Sequence, residues 1–342
     1  MPPLRILITR LSHIGDCILT LPLVNAIRKQ HPDAFIAWAV ESPSEQLLEN
    51  HPEIDHIIHI PKSWMATPSA WASIRRDLRC EGFDVVIDPQ GLTKSAMLGW
   101  LSGAKRRIGI KGRWGRELSP WLNNTLVEPL SDHVVDRSME LLSKLDIESP
   151  QVEFNLPTAD ESNQKIDQWL NNHKLNSFAV INPGASWRSK RWENDRFGTV
   201  ASHLYQQHNL RTVITWAGEQ EKAMAQQIFR LNQRGSVFAM PTTLNELASL
   251  AARAQFFVGC DTGPMHIATA VGTPCVGLYG TTRAKDSGAY GPQNVAVQKW
   301  YQSGSCKKRR GANNDAMRDI MASDVNAACD KMIASIAPAK AA

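Results

Sequence analysis

Val258-Gly259-Cys260-Asp261-Thr262-Gly263-Pro264-Met265-His266-Ile267-Ala268-Thr269-Ala270-Val271-Gly272-Thr273-Pro274-Cys275-Val276-Gly277-Leu278-Tyr279 reads as strand, turn, short helix and second strand. The apolar run Phe256-Phe257-Val258 has the character of a buried strand. Asp261-Thr262-Gly263 is a tight turn, and Pro264 opens a helix at a position where no N–H bond is lost. Gly272-Thr273-Pro274 stops that helix, because glycine suits its C-terminal cap and proline cannot continue it. A small-residue turn ahead of a helix leaves backbone N–H groups pointing outward, with the positive end of the helix dipole behind them. That is a place for an anion, typically a phosphate or diphosphate. Asp261, Thr262 and His266 decorate its mouth. Units of this kind also occur in α/β proteins without a ligand, and this one is neither a Walker loop nor a G-x-G-x-x-G fingerprint.

The same alternation extends both ways. Upstream, residues 179–182 restart a strand, followed by the loop Pro183-Gly184-Ala185-Ser186-Trp187-Arg188-Ser189-Lys190-Arg191-Trp192 and a helix from residue 195. Strands at 212–216 and around 237 and a helix over 244–253 lead into the quoted stretch. Downstream come a last strand at 296–297, a polar basic loop over 299–316 and a terminal helix over 323–336. The N-terminal half repeats the pattern. Strands are expected at 4–9, 35–40, 54–60, 84–88 and 107–110, with helices over 17–30, 71–79 and 133–145 and a basic loop over 111–125. Residues 146–175 are polar and carry Pro150 and Pro157, which marks a domain boundary. Two successive runs of βαβ units predict two Rossmann-like, doubly wound α/β domains facing one cleft: residues 1–160 and 175–322, then the terminal segment 323–342. Asp16 falls at the first strand–helix junction, on the sheet edge where ligands bind. It is either a helix N-cap or a catalytic carboxylate.

Composition narrows the classes. With 43% hydrophobic and 21% charged residues, the 342-residue chain can build globular cores. No apolar run approaches the ~18 residues of a membrane span. Met1-Pro2-Pro3-Leu4-Arg5-Ile6 enters a strand directly, without the features of a signal peptide, so a cytoplasmic location is expected. Six cysteines are scattered without a C-x-x-C pair, which argues against a zinc site and a disulfide framework. The net charge of +5, gathered in runs such as Arg113 to Arg116 and Lys307 to Arg310, favours anionic partners. A nucleic-acid module is disfavoured, because the basic runs are interrupted and no such motif is present.

Four segments in order resemble glycosyltransferase family 9, the bacterial heptosyltransferases. They are Ile6-Leu7-Ile8-Thr9-Arg10-Leu11-Ser12-His13-Ile14-Gly15-Asp16; Val85-Val86-Ile87-Asp88-Pro89-Gln90-Gly91-Leu92-Thr93-Lys94-Ser95-Ala96; Asn182-Pro183-Gly184-Ala185 with Lys190-Arg191-Trp192; and Asp261-Thr262-Gly263-Pro264-Met265-His266 with Gly272-Thr273-Pro274. The segment from Gln90 to Ala96 looks most like heptosyltransferase I. The resemblance implies the GT-B architecture, with the terminal helix crossing back to the N-terminal domain. It implies an inverting, metal-independent transfer from ADP-L-glycero-D-manno-heptose to the Kdo/inner-core acceptor of lipopolysaccharide, at the inner face of the cytoplasmic membrane. Asp16 then matches the catalytic base. Lys190, with the N–H groups of Thr262 and Gly263, matches the stabilisation of the leaving diphosphate. Ser186 would bind a phosphate, Asp261 and His266 would lie beside the sugar or phosphates, Glu221 (or Glu219) would meet the ribose, and Thr242 the adenine. Ser12, His13, Gln90 and Arg116 fall on the acceptor side. His13 departs from the small hydroxyl residue common there, residues 62–79 match the family's acceptor arginines poorly, and no metal is expected at Cys306. Another sugar-nucleotide enzyme of this architecture, with a different donor or a 2-epimerase activity, is the alternative.

Overall fold

The computed structural model describes residues 2–49 and 51–336. Contacts divide the chain into two compact units, Met1–Leu156 and Pro157–Ala342.

In the first unit, β1 (Arg5–Thr9), β2 (Phe35–Val40), β3 (His56–His59), β4 (Val85–Asp88), β5 (Arg106–Ile110) and β6 (Thr125–Val127) form one parallel sheet in the order β3-β2-β1-β4-β5-β6. In the second, β7 (Phe178–Asn182), β8 (Arg211–Ile214), β9 (Ser236–Phe238), β10 (Phe257–Cys260), β11 (Cys275–Leu278) and β12 (Val295–Val297) follow β12-β11-β10-β7-β8-β9. Renumbered within its own unit, the second order is that of the first. Both are the doubly wound order of dinucleotide-binding folds, with the switch point between β1 and β4 and between β7 and β10. The strand sequences are unbroken apolar runs because helices cover both faces: Ile6, Leu7, Ile8, Val86 and Ile87 are fully buried in one sheet, Val180, Ile181, Phe257 and Val258 in the other.

Several local expectations need correction. The helix expected over 17–30 is two helices, Ile14–Ile18 and Leu21–Gln30. Pro22 sits in the first turn of the second. Inside a continuous helix it would leave the Ile18 carbonyl without a donor and press its ring against it. The basic loop at 111–125 runs into the edge strand β6, and the one at 299–316 holds the short helices Cys306–Gly311 and Asp315–Arg318. The helix Asp160–Asn172 belongs to the second unit, where Ile166 and Leu170 join a core with Leu250 and Phe257. The boundary falls at Leu156–Pro157, inside the polar stretch 146–175 and a few residues before the expected end of the first domain at 160. The terminal helix, expected on the first domain, is Ala322–Ile336 and buries Val325, Cys329 and Met332 among Phe197, Val200 and Leu278 of the second unit. Residues 337–342 of that segment lie outside the described residues.

Candidate active site

Parallel sheets of this order bind ligands beyond the carboxyl ends of the strands flanking the switch point. All four sequence segments arrive there: residues 10–16 follow β1, 89–96 follow β4, 183–192 follow β7 and 261–266 follow β10.

In the first unit the organising group is Arg10, only 5% exposed. Its Nη2 lies 2.8 Å from Asp16 Oδ1, and its Nη1 donates to the Pro89 carbonyl at 2.9 Å. One guanidinium thus ties the β1 loop to the β4 loop. His13, not Asp16, is the N-cap of the helix Ile14–Ile18. Asp16 lies in its first turn and its Oδ2 accepts from the His13 backbone N–H at 3.3 Å, the return half of a capping pair. The His13 ring is exposed, with Nδ1 3.7 Å from the same oxygen. Burial alone raises the Asp16 pKa, but Arg10 and the His13 contacts outweigh it and hold the carboxyl well below the usual carboxylate range. Asp16 is therefore an oriented, ionised carboxylate. Its Oδ1 faces Arg10, while Oδ2 has one long hydrogen bond and a side chain 37% exposed.

Gln90 serves the scaffold. Its Oε1 accepts from the Leu11 N–H at 2.8 Å. The turn that carries it is built on buried Asp88, which accepts from the N–H groups of Gln90 and Gly91, from Ser119 Oγ and from Asn123 Nδ2. Gly91 has φ +63°, and a Cβ there would stand 2.7 Å from the Trp114 carbonyl, so glycine is required. Arg116 donates its backbone N–H to the Gly91 carbonyl. Its side chain is exposed and makes no ion pair among the described residues. Ser12 lies half-buried between Leu11 and His13.

In the second unit Lys190 and His266 converge on Asp261. Lys190 Nζ is 2.9 Å from Asp261 Oδ2 and 3.0 Å from its carbonyl. His266 Nε2 is 3.1 Å from Oδ1. All three side chains are largely buried. Burial pushes the Asp261 pKa up, and the Lys190 charge with the His266 hydrogen bond overrides it, leaving the carboxyl well below its ordinary value. His266 Nδ1 is buried without a hydrogen-bond partner among the described residues. Thr262 is the N-cap of the helix Gly263–Ala270; its hydroxyl donates to the Cys260 carbonyl at 3.2 Å and accepts no hydrogen bond from the helix N–H groups. The first-turn N–H groups are left for a ligand.

Glu221 and Glu219, left open by sequence, separate clearly. Glu219 is exposed and pairs with Lys222 at 3.4 Å. Glu221 turns inward: its Oε2 accepts from the Ala217 N–H at 2.9 Å, and a Cβ on Gly184, in the loop after β7, would fall 2.3 Å from its carboxylate. Burial raises its pKa, opposed by that hydrogen bond and by Arg191. Ser186 is exposed in the β7 loop, and Thr242 is half-buried beyond β9.

Residues 71–316 match the sequence pattern of glycosyltransferase family 9 (heptosyltransferase). The chain belongs to this family. It is thus a glycosyltransferase. It is 28% identical over 340 residues to lipopolysaccharide heptosyltransferase 3 of Escherichia coli, covering 95% of this chain and 96% of that protein. It is 27% identical over 282 residues to the lipopolysaccharide core heptosyltransferase OpsX of Haemophilus influenzae, covering 81% and 79%. Among solved structures, a family 9 glycosyltransferase from Veillonella parvula superimposes with a TM-score of 0.83 at 22% identity, over 97% of both chains. E. coli heptosyltransferase WaaC with ADP gives 0.74 at 22%, over 98% of both. These likenesses identify the fold as GT-B.

The candidate site also contains groups that sequence reading passed over. Arg10 stood inside a quoted segment but carried no role; its signal is a charged residue ending an apolar strand, six residues before an aspartate. Trp187 carries Lys190 Nζ 4.8 Å over its ring, with the Arg310 and Arg309 guanidiniums at 5.2 and 5.8 Å. The Ser189 hydroxyl donates to the Arg309 carbonyl at 2.7 Å. The helix Cys306–Gly311 thereby brings its cations to the loop that bears Lys190, a contact that 120 residues of separation concealed.

Proposed function

We propose that the protein transfers L-glycero-D-manno-heptose from ADP-heptose to the Kdo/inner-core acceptor of lipopolysaccharide, with inversion and without a metal. The observation that carries this reading is the pairing, within one family 9 chain, of an oriented carboxylate at the first switch point with a lysine–helix anion site at the second. The names of the relatives support the sugar: they are lipopolysaccharide heptosyltransferases, and WaaC has been solved with ADP-2-deoxy-2-fluoro heptose.

Inversion requires a base that takes the acceptor proton as its oxygen attacks the anomeric carbon from the side opposite the leaving group. Asp16 Oδ2 takes that role, with Arg10 holding the other oxygen. The leaving ADP gains negative charge, which Lys190, the Gly263–Ala270 helix dipole and His266 offset; a fixed cation and aligned N–H groups supply what a metal supplies elsewhere. Ser186 binds a phosphate oxygen, Glu221 the ribose hydroxyls, and Thr242 lies beside the adenine. Arg116 meets the carboxylate of the acid sugar, with Ser12 and His13 beside it.

The acceptor is lipid-borne, so we place the enzyme in the cytoplasm, peripherally on the inner membrane face. No helix among the described residues is long and apolar enough to cross a membrane. Exposed Trp100, Leu118 and Trp121 stand near exposed Lys105 and Arg116 in sequence, a composition suited to an anionic interface.

Calorimetric titration with ADP, UDP and GDP in the presence of a chelator, on wild type and Lys190→Ala, tests the donor. ADP preference, weakened in the variant, is expected. A UDP or GDP preference removes the heptose assignment and keeps the architecture. Transfer to a Kdo-bearing lipid then tests the acceptor.

A further inference from the structure

Among the described residues, His203, His208 and Asp330 bring three ligand atoms within 4.8 Å of one another. The histidines belong to the helix Asn194–His208 and the aspartate to the terminal helix Ala322–Ile336. His203 Nε2 lies 2.8 Å, and His208 Nε2 2.7 Å, from the same oxygen, Asp330 Oδ1. Five residues apart on one helix, the two side chains leave the axis in different directions. Both rings nevertheless turn onto one oxygen, at 67° to each other with centroids 5.7 Å apart.

We propose that these three residues form a structural site for a divalent transition metal of the zinc, cobalt or nickel class, clasping the terminal helix to its neighbour. In the metal-free pair of hydrogen bonds both Nε2 atoms carry a proton. With the ion bound, each imidazole holds its proton on Nδ1 and offers the Nε2 lone pair, while Asp330 Oδ1 supplies the third ligand. Tetrahedral zinc at about 2.0–2.2 Å spaces its ligand atoms roughly 3.3–3.5 Å apart, so each imidazole nitrogen moves away from Asp330 Oδ1 by less than about 1 Å to admit it. The side chains are 21%, 26% and 45% exposed, which leaves water access to the remaining positions. Asn326, one turn before Asp330, has its carboxamide oxygen buried without a hydrogen-bond partner, an acceptor available to a metal-bound water. His208 closes its helix, where the negative end of the dipole favours a cation. Two imidazoles with one carboxylate select this class over magnesium or calcium.

The clasp lies away from the chemistry. His208 lines a pocket with Ser177, Leu210 and Gln255, which immediately precede β7, β8 and β10 or nearly so, on the amino edge of the sheet. Lys190 and Asp261 stand at the carboxyl edge. The ion has no part in the metal-independent transfer.

The test uses the full chain with Cys80 and Cys306, its exposed thiols, changed to Ser, treated with chelator and dialysed. Zn2+ and Co2+ are titrated by calorimetry and, for Co2+, by visible absorption, with Mg2+ as control. We expect a single saturable site for Zn2+ and Co2+ but not Mg2+, and a Zn2+-dependent rise in Tm. His208→Gln, folded by circular dichroism, should weaken binding more than about tenfold and abolish the Tm rise, with ADP affinity unchanged. Absence of saturable binding overturns the proposal. Affinity unchanged from wild type in both His208→Gln and His203→Gln overturns it too, because the ion then sits elsewhere.

Discussion

The carboxylate proposed as the base, Asp16, sits beside an arginine that keeps it ionised. A proton acceptor with so low a pKa works through position more than basicity, which suits a reaction in which the sugar's departure leads and proton transfer follows. Asp16→Asn should lower kcat by about 10²–10⁴-fold with ADP affinity preserved, read by steady-state kinetics beside calorimetry. The pH dependence has a definite sign. Asp16 is depressed in the folded protein, so its contribution to stability is present above the unfolded carboxylate pKa and is lost as pH falls through the lower folded value. Arg10→Met removes the main depressing charge. The acid limb of the kcat/KM profile should then move to higher pH; an unmoved limb would mean that Asp16 does not report there. Lys190→Ala should weaken ADP binding by roughly 10–150-fold, the worth of about 1.5–3 kcal/mol for a charge-assisted hydrogen bond.

Elements bring the residues to their stations. Asp16 and Asp261 were legible because each follows an apolar strand and opens a turn or helix, and a doubly wound sheet collects such turns on one edge; Lys190 and Glu221 were singled out by the family resemblance alone. What the sequence hid depended on contacts between distant segments. Gln90 sits beside Leu11 because β1 and β4 pair. The cations of residues 306–310 reach Trp187 because a loop read as irregular forms a helix against it. The division of residues 14–30 into two helices was available in principle from Pro22, whose ring is incompatible with the turn before it. Close packing of Gly184 against Glu221 makes an element-scale prediction. Gly184→Ala should displace the Glu221 carboxylate, a movable side chain, and weaken binding of ADP more than of inorganic diphosphate, which has no ribose; equal weakening of both would argue against a ribose contact.

At the scale of the whole molecule, each unit has a core of its own. Leu7, Trp64 and Leu98 share one in the first, and Phe197, Phe256 and Leu278 one in the second. Scanning calorimetry should resolve unfolding into two transitions, with ADP raising only that of the second unit, since a ligand stabilises the state that binds it. The two-unit division and sheet class were readable from the repetition of strand and helix. The assignment of the terminal helix was not, because an amphipathic helix announces that it has an apolar face without naming its partner. Val325, Cys329 and Met332 find theirs in the second unit.

The Lys190–Asp261 pair has a kinetic consequence. Before any nucleotide arrives, the lysine already has a resident counter-ion 2.9 Å away. A diphosphate bound there as proposed would have to share or displace that carboxylate, and after transfer the carboxylate would still be there to reclaim the cation. If Lys190 holds the diphosphate as proposed, the resting site is thereby shielded from stray anions, and the spent nucleotide leaves against a competitor that never diffuses away: tight retention of product is traded for turnover.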